Sequence, residues 1–309
     1  MSNMIRRGLL ASLLMLGLAA GALAQPSVGK LQGFPTPEAA ADALADAARR
    51  GDDKAMEAIL GAPWRVLMPL KNDRFKRDLA AYLAAWDKQH EVTIDPQGNG
   101  ARAIVGVGMS GWTLPIPIVK DGSDWRFDPV AGFNEMAERR LGRNELGAIQ
   151  TLLAIGDAER DYAVMDPMKT GATAYARRLL SSPGKKDGLY WPTAPGQPVS
   201  PLGEHVAQSQ VDGKLPGDQY GYNFRLLYGQ GPAAPGGARD YIVKGRMIGG
   251  FAAIAWPVRY GESGIMTFIV NHDGVVYEQD LGPNTAQRAA SIVAFNPDKD
   301  WKKADLSPP

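Results

Sequence analysis

The chain has 309 residues, with 34 lysines and arginines, 33 aspartates and glutamates, and no cysteine. The lack of cysteine excludes disulfides and thiol chemistry, and a chain of this length can bury a sizeable core without covalent cross-links. The near-neutral charge and the lack of a basic block argue against nucleic acid as a partner. Beyond the first 24 residues no apolar run has spanning length, so we expect no transmembrane span in the mature chain.

The N-terminus has the pattern of a secretory signal peptide over residues 1–24. Arg6 and Arg7 form a basic region, residues 8–20 are almost wholly apolar, and Ala22-Leu23-Ala24 gives a small-x-small cleavage pattern. Cleavage after Ala24 removes two basic and no acidic residues, so the mature chain is expected to carry 32 basic and 33 acidic side chains. We therefore expect a periplasmic or secreted protein, with a retained N-terminal anchor as the alternative.

The mature chain is long enough for two domains, which we place at 25–131 and 132–309. In the first domain, Thr36 and Pro37 begin an alanine-rich helix that stops at Gly51. The other elements predicted there are helices at 52–60 and 73–89, strands at 91–94, 101–107 and 112–119, a hairpin turn at 120–123, and a Trp-Arg-Phe strand at 125–127.

Helices followed by a curled antiparallel sheet resemble the cystatin-like cone of nuclear transport factor 2 and its relatives. The resemblance implies a pocket that holds a small ligand in some proteins and acts as an isomerase or dehydratase in others. Such an enzyme needs an acid or base on the inner wall of the cone. His90 and Asp95 are the nearest titratable candidates, but His90 ends a helix and Asp95 precedes a proline, so we interpret both as structural.

The second domain begins with a long amphipathic helix at 134–162, whose apolar stripe includes Ile149 and Leu153. The elements predicted after it are a short helix at 173–180, an irregular Gly/Pro-rich stretch at 181–221, and strands at 222–228, 251–256, 265–270 and 275–278. A helix packed across an antiparallel sheet makes this domain, like the first, an α+β structure.

Five stretches of the second domain carry a specific family resemblance. They are SPGKKDGLYWP at 182–192, SPLG at 200–203, QGPAAPGG at 230–237, GGF at 249–251 and GIMTFIV at 264–270. These stretches resemble the bacterial family called domain of unknown function 2950, and the similarity spans nearly the whole mature chain. The resemblance implies secreted or periplasmic proteins with no established activity, so no catalytic residue can be transferred to this sequence.

A more distant similarity links the second domain to the globular heads of pilins and pseudopilins. NELGAI at 144–149 and AERDY at 158–162 are similar to the helix of those heads, and GYNFRL at 221–226 and DGVV at 273–276 to their strands. Pilins also need an apolar helix of roughly 20 residues to enter the membrane and pack the filament. Here the segment 135–143 carries five charged residues, so we do not expect a filament subunit.

The residue patterns of the common catalytic and metal sites do not occur. His90, His205 and His272 are scattered without metal-ligand spacing, and Ser263 lies outside a nucleophile elbow. The glycine-rich run 229–237 contains prolines and lacks a phosphate-loop lysine. We therefore expect neither a metal nor a cofactor.

Four aromatic residues, Tyr190, Trp191, Tyr220 and Tyr222, flank the Gly/Pro-rich stretch and have no periodic core pattern. Tyr and Trp are favoured at recognition surfaces, so these residues form a candidate binding surface for an envelope protein or a glycan. The alternative is that they anchor an otherwise loose loop to the sheet.

The sequence thus favours a soluble, exported envelope protein that acts as a binding or assembly module without catalysis. The alternative is a periplasmic enzyme or small-ligand binder that uses the N-terminal cone as its pocket. A third option is an accessory subunit of a pseudopilus.

Overall fold

A computed structural model describes residues 31–68, 73–203 and 221–305 of the chain. Its architecture is α+β, with helices and antiparallel sheets. Contacts divide the chain into two compact units, unit 1 ending at Gly132 and unit 2 beginning at Phe133. No helix within the described ranges is both long and apolar enough to cross a membrane. The predicted signal peptide lies outside these ranges.

Unit 1 places helices before an antiparallel sheet whose strands follow chain order, β1-β2-β3-β4. Its elements are α1 (Pro37–Arg50), α2 (Asp53–Leu60), α3 (Trp64–Leu67), α4 (Asp73–Lys88), β1 (His90–Ile94), β2 (Arg102–Val107), β3 (Ile118–Asp121) and β4 (Asp124–Phe127).

Local sequence explains how α1 and the sheet of unit 1 form. The Thr36 side chain accepts a hydrogen bond from the Ala39 N–H at 3.1 Å, and Gly51 ends the helix with a left-handed φ of 61°. On β2, buried residues alternate with half-buried ones, as expected of a strand with one face on the core. The core under the sheet includes Leu44 of α1, Val105 of β2 and Phe127 of β4.

The strand predicted at 112–119 is wrong over most of its length, because β3 begins only at Ile118. Pro115 and Pro117 lack the N–H groups that a sheet ladder requires. The chain before β3 therefore forms a single isolated bridge with β2, between Thr113 and Gly106. The Leu114 N–H donates to the Val105 carbonyl and the Val107 N–H to the Trp112 carbonyl on either side of this bridge.

Unit 2 is built on a five-stranded antiparallel sheet in the order β13-β12-β11-β10-β5. Its elements are α5 (Pro129–Met165, which begins before the unit boundary), β5 (Tyr222–Leu227), β6 (Gly229–Gln230), β7 (Arg239–Asp240), β8 (Ile242–Val243), β9 (Arg246–Met247), β10 (Ala252–Pro257), β11 (Met266–Asn271), β12 (Tyr277–Asp280), α6 (Thr285–Ser291) and β13 (Lys302–Lys303).

The two central strands of this sheet, β10 and β11, are buried on both faces. One face packs in a cluster with α5, which includes Leu152 of the helix and Phe268 of β11. The opposite face packs in a second cluster, which includes Ile254 of β10, Ala289 of α6 and Phe295. Near-continuous apolar runs in β10 and β11 follow directly from this two-sided burial.

Glu145 of α5 fixes the helix to the first residue of β11 and to the residue before it. Its Oε1 atom accepts hydrogen bonds from the backbone N–H groups of Ile265 at 2.8 Å and Met266 at 3.1 Å. Burial, and then the charge of Glu145, raise the pKa of Glu278 on β12. The helix is thus held to the sheet by a directional polar contact as well as by apolar packing.

The helix predicted at 173–180 does not form, and this prediction is wrong. Its backbone groups bond elsewhere instead. The Tyr175 N–H donates to the Met247 carbonyl at 2.8 Å, the Ala176 N–H to the Glu159 carboxyl at 2.7 Å, and the Tyr190 N–H to the Leu179 carbonyl at 2.9 Å. An isolated helix this short is unstable in water, so tertiary hydrogen bonds outweigh its local propensity.

Candidate functional site

An open cleft of about 590 Å³ lies within unit 2, beside the C-terminal end of α5. Its walls come from the end of α5, the segment that follows it, and the β8–β9 hairpin. The lining residues are Tyr162, Asp166, Met168, Thr170, Ala174, Tyr175, Arg177, Arg178, Asp187, Tyr228, Gly245, Arg246 and Met247. The volume lies within the range of sites that bind small molecules.

Asp166 shapes the first wall of the cleft, directly after α5 ends at Met165. Its carboxylate accepts hydrogen bonds from the Thr170 N–H at 2.9 Å, the Gly171 N–H at 2.8 Å and the Thr170 hydroxyl at 2.9 Å. These hydrogen bonds, the backbone ones first, lower the pKa of Asp166. The Asp166 carboxylate is therefore ionised at neutral pH, and it fixes the loop that follows α5.

Asp187 fixes a second loop of the cleft wall, the one that begins at Ser182. Its carboxylate accepts hydrogen bonds from the Ser182 N–H at 2.7 Å and the Ser182 hydroxyl at 2.9 Å. Burial alone would raise the pKa of Asp187, but the Ser182 hydrogen bonds and the charge of Arg178 outweigh burial and lower it. Both carboxylates of the cleft are thus ionised and already hydrogen bonded.

Three arginines line the same cleft, and each is held by a protein acceptor. Arg177 donates from Nη1 to the Gly245 carbonyl at 3.3 Å, and Arg178 from Nη1 to the Ser182 hydroxyl at 3.2 Å. Arg246 donates from Nη2 to the Thr170 hydroxyl at 3.3 Å and to the Ala172 carbonyl at 3.2 Å. These contacts orient the guanidinium groups before any ligand arrives, which lowers the cost of binding.

A buried carboxyl group supports the segment that carries two of these arginines. Glu159 of α5 is fully buried, and its Oε2 atom accepts the hydrogen bond from the Ala176 N–H. Its Oε1 atom is buried without a hydrogen-bond partner among the described residues. Burial raises the pKa of Glu159 well above its usual value, although the Ala176 hydrogen bond acts in the opposite direction. Glu159 therefore keeps its proton to a higher pH than an exposed glutamate does.

Three tyrosines supply the aromatic part of the lining. The hydroxyl of Tyr162 donates to the Lys186 carbonyl at 2.7 Å, and that of Tyr228 donates to the Arg177 carbonyl at 3.0 Å. Burial, and then the charges of Asp187, Glu159 and Asp166, raise the pKa of Tyr162 to about 12, so it remains a donor. Tyr175 packs edge-on against Phe251 at 4.9 Å between ring centroids.

Three of the four aromatic residues predicted as a binding surface, Tyr190, Trp191 and Tyr222, do not line this cleft. Trp191 and Tyr222 are 4% and 3% exposed and belong to the core cluster between α5 and the sheet. Tyr190 is partly buried against the same cluster, and Tyr220 lies outside the described residues. The burial of Trp191 and Tyr222 favours the alternative interpretation, in which these rings anchor the loop to the core.

The two titratable candidates in unit 1 are not brought together. His90 begins β1 and Asp95 follows its end, so they are separated by about 16 Å along the strand. His90 stacks on Trp86 with ring centroids 3.9 Å apart, and Asp95 lies 3.4 Å from Arg102. The third predicted histidine, His205, lies outside the described residues, while His272 is 3.0 Å from Arg239.

Among the described residues no cluster of histidines and acidic side chains could hold a metal ion. The cleft itself was not predicted from the sequence. Its residues come from the end of α5, the segment after it and a distant hairpin, and neither spacing nor periodicity connects these segments. Among the described lining residues, Asp187 alone falls in a stretch carrying the family resemblance.

Comparison with known proteins gives a family and no closer relative. Neither the curated proteins nor the solved structures yielded a significant match. The family described as protein of unknown function (DUF2950) matches residues 31–304, which include unit 1 from residue 31 onward and almost all of unit 2. The resemblance found in the glycine-rich stretches is thereby confirmed, and the chain belongs to the DUF2950 family.

Proposed function

We propose that this protein is a non-catalytic binding module of the bacterial cell envelope, and that the cleft of unit 2 is its ligand site. The signal-like N-terminus supports export to the periplasm or the exterior. The observation that carries the proposal is the cleft itself, which combines a small-molecule volume with polar and aromatic side chains held in place by hydrogen bonds.

The state of the two carboxylates favours binding over catalysis. A general acid or base works best with a pKa near the operating pH and a proton free to move. The pKa values of Asp166 and Asp187 are instead lowered, and both groups accept hydrogen bonds from their own loops. They serve to shape the cleft walls.

The order of elements in each unit supports the fold relationships that we propose. Helices before a four-stranded antiparallel sheet in unit 1 suit a cystatin-like cone, and a long helix across an antiparallel sheet in unit 2 suits a pilin-like head. The exposed charged residues Glu138 and Arg140 lie at the start of α5, where a pilin would be apolar. We therefore propose a partner in the envelope rather than membership of a filament.

A fluorophore placed in the cleft tests the proposed site. Because the chain has no cysteine, Met168→Cys creates a single labelling position on the cleft wall, where the native side chain is 47% exposed. We expect the fluorescence of an environment-sensitive label at this position to change and saturate as a low-molecular-mass extract of cell envelopes is added, because a bound ligand displaces water from the label.

The matched control is Val66→Cys in unit 1, where the native side chain is 70% exposed. A label there should give no saturable change with the same extract. A flat response at position 168, or equal responses at both positions, would contradict the proposal that the cleft is the ligand site.

A further inference from the structure

We propose that the cleft selects a small anionic organic ligand, one that carries a carboxylate or phosphate group on a ring. This inference rests on the proposed function, because it names the ligand class of the same cleft. It follows from three features of the lining: the guanidinium groups, the carboxylates and the aromatic wall.

The guanidinium groups offer more donors than the protein uses. Each guanidinium carries five N–H donors in a planar fork that matches carboxylate and phosphate oxygens. Arg177 and Arg178 are exposed, and each places one donor, from Nη1, on a protein acceptor. Their remaining N–H groups are available to a ligand that enters the cleft.

The carboxylates do not compete for these donors. The oxygens of Asp166 are occupied by Thr170 and Gly171, and those of Asp187 by Ser182. Neither carboxylate accepts a hydrogen bond from a cleft arginine in the described part of the chain, and Arg178 and Arg246 act on Asp187 and Asp166 only through longer-range charge attraction. Three guanidinium charges against two carboxylate charges leave the lining with a net positive charge, which favours an anion.

The remaining wall suits a ring next to that anionic group. Tyr175 and Tyr228 present aromatic surface, and Met168 adds a flexible apolar side chain. Tyrosine rings stack on or against the ring of a ligand, and methionine sulfur makes favourable contacts with aromatic rings. The hydroxyl of Tyr228 is indeed fixed on the Arg177 carbonyl, which sets its ring beside the arginine segment.

Three sugars that share one ring test the ligand class: glucose, glucuronate and glucose 6-phosphate. Titration calorimetry with the purified full chain is expected to detect binding of at least one of the two anionic sugars and no binding of glucose. The affinity should fall as salt is raised, because exposed charges are screened. A preference for glucuronate indicates a carboxylate ligand, and a preference for glucose 6-phosphate indicates a phosphate ligand.

The double variant Arg177→Gln/Arg178→Gln should weaken binding of the preferred sugar by about tenfold or more, since it removes two charge-assisted donors. The double lysine variant at the same positions should retain part of the affinity, because it preserves the charges. Arg259→Gln is the matched control, since Arg259 is an exposed arginine of unit 2 that pairs with Glu262 outside the cleft lining. An unchanged melting temperature shows that each variant is folded.

The two proposals can fail separately. If the label at position 168 responds to the envelope extract while glucuronate and glucose 6-phosphate do not bind, the cleft is a site but the anionic ligand class is wrong. Equal affinity for glucose and the anionic sugars, or full affinity in the double glutamine variant, would also overturn it. If the label does not respond to the extract, the proposed function itself fails.

Discussion

Gly188→Ala is expected to destabilise unit 2 by about 3 kcal/mol or more, at the upper end of the overpacking range. A Cβ atom at this position would lie 2.6 Å from the carbonyl carbon of Leu180 and 2.6 Å from the nitrogen of Ser181. Both are backbone atoms, so no side chain can rotate away. The 180–190 loop would have to move and pull Trp191 from the core. Urea denaturation, followed by tryptophan fluorescence, measures the loss.

Gly203→Ala is the control for this prediction, because a Cβ atom there meets no atom of the described residues within 4 Å and the backbone φ lies outside the left-handed region. Its free energy of unfolding should match that of the wild type. If Gly188→Ala unfolds at the same urea concentration as Gly203→Ala, then the close approach between positions 180 and 188 is not a feature of the folded protein.

Glu159→Gln is expected to remove a pH dependence of stability. In the unfolded chain this carboxyl titrates near pH 4.3, whereas burial raises its pKa in the native state. Above the unfolded pKa the native state therefore binds more protons than the unfolded state. Stability is then lost as pH rises toward the native pKa, by at most about 1.4 kcal/mol per pH unit. Glutamine keeps the acceptor for the Ala176 N–H without a titrating proton.

The variant and the wild type should therefore have similar melting temperatures near pH 4, and the variant should melt at a higher temperature at pH 7. Melting temperatures measured from pH 4 to pH 8 give this difference directly. Glu262→Gln, which alters an exposed carboxyl of the same unit, serves as the control. A constant difference between Glu159→Gln and the wild type across this range would contradict a raised pKa of Glu159 in the folded protein.

The sequence predicted the elements whose burial is periodic. The stripe that contains Ile149 and Leu152 indicated the long helix because one face of α5 packs on the sheet, and the observed helix extends the predicted one by a few residues at each end. The four predicted strands of unit 2 correspond to β5, β10, β11 and β12, and every end agrees within two residues. The spacing of apolar residues predicts these helices and strands because the face of each element that packs on the core must be apolar.

The cleft could not be predicted from the sequence, because its residues lie in segments without a periodic pattern. Asp166, Arg177 and Arg246 meet because the β8–β9 hairpin returns to the segment after α5, where Arg246 contacts Thr170 across 76 residues of sequence. Loops have no hydrophobic period from which such contacts could be predicted. The burial of Trp191 could not be predicted from the sequence for the same reason. A single ring that enters the core from a Gly/Pro-rich loop leaves no repeated pattern, so the sequence left its two interpretations open.

The central claim is that the ligand site is the cleft of unit 2, and methionine methyl NMR on the unmodified chain tests it most directly. Met168 and Met247 line the cleft, whereas Met56 and Met109 belong to unit 1. Adding the low-molecular-mass envelope extract to protein with ¹³C-labelled methionine methyl groups should shift the Met168 and Met247 signals and leave those of Met56 and Met109 in place. Shifts confined to the unit 1 methionines would contradict this account and would place the site in unit 1.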